Sequence, residues 1–131
     1  MAVKVQEVSE EAQWLSDRLS VQVRWVAVGI LALVWGLIIS PPRELALSPR
    51  LVLLAGLLAV AALFVDLLQY IVGYVYTMRI LRRMERGADA SYNRRHLLYR
   101  LRHYCFVAKQ IIALGAGVVL GIAVLPPLLA G

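Results

Sequence analysis

The sequence predicts an all-α integral membrane protein with three transmembrane helices, and three observations carry that expectation. First, the chain is 61% hydrophobic over 131 residues, with a mean hydropathy of +0.74; a soluble domain typically carries about 45–50% apolar residues. Second, three apolar stretches approach or exceed the roughly 20 residues that a helix needs to cross a bilayer. Third, the positive charge is concentrated. The chain has 14 Lys and Arg against 8 Asp and Glu, and eight of the arginines fall between the second and third stretches. Only Glu85 and Asp89 oppose them there, so this segment alone accounts for the net charge of +6.

The elements follow in order. Residues 1–20 read as an amphipathic helix, because Val5, Val8, Ala12, Leu15 and Leu19 recur at spacings of three and four. Ser9 suits an N-cap, with Glu10 and Glu11 in the favourable first turn. No breaker separates this helix from the first span, residues 21–40, whose uninterrupted apolar part is 25–39. That part is short, and snorkelling of Gln22 and Arg24 lengthens it. A signal peptide would begin with a short basic region, whereas this span follows Glu7, Glu10, Glu11 and Asp17. Ser40-Pro41-Pro42-Arg43 offers no small-x-small cleavage site either, so the span is expected to be retained. Pro41 and Pro42 end it, and Ser48-Pro49 opens the second.

The second span covers residues 51–76 and keeps helical character through Arg86. Gly87 suits a C-terminal cap, and Asp89 or Ser91 the cap of a following helix that runs into the third span, residues 104–125. Residues 77–103 are therefore expected to form a basic helical hairpin tip, and residues 1–131 a single domain. Short arginine-rich segments stay cytoplasmic. The N-terminus and the tip are then expected inside, the loop 41–50 and the C-terminus outside, in a membrane taken as a bacterial inner membrane.

The most informative residue is Asp66, deep in a run that is otherwise apolar apart from Gln69. A carboxylate there costs about 2.5–3.5 kcal/mol on insertion scales and faces protein or water in place of lipid. Ala55, Ala59, Ala62, Asp66, Gln69, Gly73 and Thr77 are spaced by three or four, a seam of small and polar residues along one helix. Lipid gives helices no hydrophobic reason to associate, so such seams mark helix packing or a water-filled space. On the third span Ala113, Gly117 and Gly121 form a small-residue ridge, and Lys109 stands one turn away on the same ridge. Antiparallel helices would bring Lys109 within reach of Asp66 as a charge partner. Two readings compete. In one, Asp66 and Lys109 form a structural ion pair; in the other, Asp66, Gln69, Gly73 and Thr77 line a pore or proton path, which would require several copies of the chain.

Arg79, Arg82, Arg83, Arg86, Arg94, Arg95, Arg100 and Arg102 suffice to set topology. Their excess also fits anionic lipid headgroups at the cytoplasmic face, or an acidic partner such as the chain's own N-terminal helix. Nucleic acid is not expected, since no fold signature for it is present. The tyrosines and tryptophans fall near span boundaries, as interfacial aromatic belts do.

Catalysis is not expected, and no catalytic residue, metal site or cofactor is assigned. His96 and His103 share a helix face without a second pair of ligands, and the single cysteine, Cys105, lacks an adjacent base. Two functions remain. The first is a small homo-oligomeric membrane protein of channel or pore-forming-effector type, with the polar seam on the second span. The alternative is a non-catalytic accessory or scaffold subunit of a larger membrane complex, the seam packing against partner helices.

Overall fold

The computed structural model describes residues 2–42, 47–85 and 97–130. Among them lie three helices, α1 (Ala2–Ile39), α2 (Pro49–Glu85) and α3 (Leu97–Ala130). Each contains a stretch long and apolar enough to cross a membrane: Glu10–Ile39, Pro49–Glu85 and Arg100–Leu125. The expectations placed on Arg43, Arg86, Gly87, Asp89, Ser91, Arg94, Arg95 and His96 lie outside the described residues.

Helix α1 is continuous, and Ser9 lies inside it, not at its start. Residues 2–8 include Ala, Lys, Gln and Glu and no Gly or Pro, so nothing stops the helix from extending ahead of Ser9. It ends where Ser40 N–H donates to Gly36 O at 2.9 Å and the next two residues, Pro41 and Pro42, have no N–H to continue the ladder. Ser48 O accepts from Leu51 N–H at 3.1 Å and Val52 N–H at 3.2 Å, which starts α2 with Pro49 in its first position. Proline fits there because its missing donor would be unbonded in any residue. At 37 residues, α2 is about 55 Å long, against a hydrocarbon core of about 30 Å. Helix α3 passes Leu125 and continues through Pro126 and Pro127 to Ala130. Proline's fixed φ is helical, and the lost donors fall close to the helix end.

Helix α2 packs against both others, most extensively against α3. The shared core is built from Ala27, Ile30 and Val34 of α1, Val52, Ala55, Ala59 and Ala62 of α2, and Ala113, Ala116, Leu120 and Ala123 of α3. Alanine dominates it for a physical reason. Between helices in lipid, attraction comes from close van der Waals contact, which small side chains permit. Large apolar residues point outward instead, among them Leu33, Trp35, Leu57, Phe64, Leu114 and Val118, a surface suited to acyl chains.

The tightest approach is at Gly56, where an added Cβ would lie 3.0 Å from Val34 Cγ1. Gly29, Gly36 and Gly115 have open space at the same position. Gly56→Leu is therefore expected to destabilise the bundle by about 2 kcal/mol through overpacking, whereas Gly29→Leu should stay within about 0.5 kcal/mol of the parent. Unfolding in mixed micelles of rising dodecyl sulfate fraction measures both, and equal effects would contradict this packing.

Candidate functional site

The three helices converge on one carboxylate. Asp66 comes from α2, Ser20 and Arg24 from α1, and Lys109 from α3. The backbone reasons are simple. Ser20 and Arg24 are one turn apart, so both face α2, on the side of α1 that carries Ala27 and Val34 further along. Lys109 lies on the buried face of α3, which runs from Cys105 through Ala113, Ala116, Leu120 and Ala123.

Lys109 Nζ donates to Asp66 Oδ1 and to Ser20 Oγ. Ser20 Oγ donates to the same Oδ1 at 3.3 Å. On the other oxygen, Arg24 Nε donates to Oδ2 at 3.0 Å and Nη2 at 2.7 Å. A carboxylate has about four lone-pair sites, and all are addressed here. Lys109 is 0% exposed, the largest fully buried side chain described, while the Arg24 side chain is 45% exposed and lies over the Tyr70 ring at 5.4 Å. The Lys109 ammonium is also 5.5 Å from the Phe106 ring. One anion thus serves two cations, and the cluster carries a net charge of +1.

Ala55, Ala59, Ala62, Asp66 and Gln69 lie buried along α2, Gly73 is half-buried, and Thr77 is exposed with its hydroxyl donating to Gly73 O at 3.0 Å. The aliphatic stem of Arg102 rests on Gly73, its Cδ 3.7 Å from where a Cβ would stand. On α3, Ala113 is buried, Gly121 half-buried and Gly117 exposed, so the face meeting α2 runs through Ala116, Leu120 and Ala123 and leaves Gly117 at its margin, near Ile30. Arg79, Arg82, Arg83 and Arg100 are exposed; Arg100 Nη2 donates to Tyr104 Oη at 3.4 Å. Cys105 is buried and His103 exposed.

Sequence reasoning could single out Asp66 and Lys109 but missed Ser20 and Arg24. The signal was present. Ser20, Arg24, Ala27 and Val34 follow helical spacing on one face, and that face places Arg24 toward the other helices. Two further buried polar atoms, Gln69 Oε1 and Gln110 Nε2, have no hydrogen-bond partner among the described residues. Each such group costs roughly 1–3 kcal/mol.

The fold defines an all-helical chain with three apolar helices, which suggests a membrane location, tied together by a buried charge cluster. No family model, no curated protein and no solved structure matches it.

Removing one member of a buried ion pair strands the other. Asp66→Leu is expected to cost about 3–5 kcal/mol because it leaves Lys109 without a counter-charge, and adding Lys109→Met should recover at least half of that. Arg24→Gln should cost only about 1 kcal/mol, since its partly exposed side chain can turn outward. A double-mutant cycle in the same micelle titration reads the coupling, and additive effects of Asp66→Leu and Lys109→Met would remove the pair as a stabilising unit.

Proposed function

We propose that this chain is a non-catalytic accessory or scaffold subunit of a membrane complex, built as a three-helix unit. The observation that carries the reading is that the Asp66 end of the polar seam on α2 is enclosed within the chain, while Gly73 is half-buried and Thr77 exposed. Asp66 is saturated by donors from α1 and α3, and Ala55, Ala59 and Ala62 are buried beneath the same helices. A pore lined by this seam at Asp66 would require α1 to withdraw with Arg24 and Ser20, or α3 to withdraw and leave Lys109 unpaired, the latter at a cost of several kcal/mol. The homo-oligomeric channel reading is for that reason the weaker of the two, and the accessory reading is kept with a partner surface other than the buried part of the seam.

What the chain offers a partner is on its outside. Gly29, Ala32 and Gly36 of α1 share one exposed face at spacings of three and four, and the glycines have nothing within 4 Å of an added Cβ. In lipid, such a ridge lets a second helix approach closely. The orientation that fits the arginines keeps Arg79, Arg82 and Arg83 with the N-terminus on the cytoplasmic side of a bacterial inner membrane, near anionic headgroups.

Native mass spectrometry tests the reading. The chain purified alone should be monomeric, and the chain extracted gently from its own membrane should carry a second protein. Gly29→Leu combined with Gly36→Leu should strip that protein away while leaving the isolated chain as stable as its parent. A defined assembly of four or more copies, with a conductance altered by Asp66→Asn, would overturn it in favour of the channel.

A further inference from the structure

A polar recess of about 270 Å³ opens between α1 and α2, one turn from the Asp66 cluster. Ser16, Asp17 and Ser20 contribute from α1, Gln69, Gly73 and Tyr74 from α2, and Arg102 of α3 closes one side. Its surroundings on α1 and α2 are apolar, with Leu15, Leu19, Ile71 and Val75 exposed around it. Just beyond it on α2 come Arg79, Arg82 and Arg83, and Tyr74 stands at its rim; cations and aromatic residues of this kind occupy the headgroup level of a bilayer.

The charges in the recess are balanced and unused. Asp17 and Arg102 both line it, and neither forms an ion pair among the described residues. Gln69 is nine-tenths buried in its wall, and Oε1, an acceptor, receives no hydrogen bond. The recess therefore holds the Asp17 carboxylate without a cation and the Arg102 guanidinium without an anion, with the enclosed Gln69 Oε1 behind its wall. We propose that this recess binds a molecule carrying both a primary ammonium and a phosphodiester, the chemistry of a phosphoethanolamine headgroup. The ammonium donates to the Asp17 carboxylate, to the Ser16 hydroxyl, and to Gln69 Oε1 once the terminal amide turns toward it. The phosphodiester accepts from Arg102, whose planar fork matches two phosphate oxygens. A choline headgroup has no N–H to give, and a glycerol headgroup has no cation, so neither satisfies both sides. The inference does not depend on whether a protein partner docks on α1.

The test is native mass spectrometry of the full chain, released from micelles holding equal amounts of phosphatidylethanolamine, phosphatidylcholine and phosphatidylglycerol with identical acyl chains. Retention of phosphatidylethanolamine at least tenfold above the other two is expected. Asp17→Asn and Arg102→Gln should each lower it about tenfold, Gly73→Leu should abolish it by filling the recess, and Arg82→Gln, outside the recess, should leave it unchanged. Helicity and micelle unfolding of each variant establish that the bundle persists. Free glycerophosphoethanolamine separates the two sources of this chemistry: displacement of the lipid at millimolar concentration marks a soluble ligand, and no displacement marks the lipid. Equal retention of the three lipids, preference for phosphatidylglycerol, or undiminished retention in folded Asp17→Asn and Arg102→Gln would each overturn the proposal.

Discussion

A carboxylate midway along an apolar helix cannot be left to lipid, and the rest of this structure follows from where its counter-charges come from. Lys109 reaches Asp66 only if α3 lies antiparallel to α2, and Arg24 with Ser20 only if α1 lies on the same side. The contacts on either side of the cluster keep that register. Arg102 rests on Gly73, and the seven-residue step from Arg102 to Lys109 matches the step from Gly73 back to Asp66. Toward the other end Val34 meets Gly56, and Ile30 approaches Gly117. Alanine packing alone would tolerate sliding, because one alanine face resembles the next. The charges remove that freedom, since a slip of one turn breaks the cluster.

The unequal standing of the two cations follows from their burial. Lys109 is wholly enclosed, so its ammonium depends on Asp66 and Ser20 for every short polar contact it makes. Arg24 has part of its side chain at the surface and a tyrosine face beneath it, so its charge is shared between the carboxylate and the Tyr70 ring. The anion is therefore held mainly for the sake of Lys109, while Arg24 completes the coordination of Oδ2 and leaves a net positive charge at the edge of the bundle.

The helical class and the existence of three apolar helices were legible in composition and in the proline punctuation around residues 40–49. The packing face of α2 was legible too, because Asp66 anchors a run of small residues at helical spacing, although that spacing alone fits either helix packing or a polar lining. The face of α3 was harder. Glycine draws attention as a packing residue, so Gly117 and Gly121 stood out, yet stepping from Lys109 by four, three and four leads through Ala113 and Ala116 to Leu120, the positions that are buried. Alanine already allows the close approach, and the glycines lie at the margin. Arg24 was obscured by its place near the start of an apolar run, where snorkelling is the simple expectation; the guanidinium instead turns toward a carboxylate on another helix.

The two halves of the bundle differ in kind. Beyond Asp66 toward Gly56 the interior is packed by Ala59, Ala62, Ala113 and Ala116, with no polar side chain among the core residues. On the other side the helices separate enough to leave a polar recess that reaches Ser20, which also touches Asp66 and Lys109. Ser20 is thus the point where the sealed and open halves meet. A hydroxyl suits that place because it accepts from the ammonium and donates to the carboxylate at once, so the cluster is complete without drawing a group from the recess. The recess can then exchange its contents without disturbing the interaction that holds the helices together, which separates what the fold needs from what a ligand at this end would use.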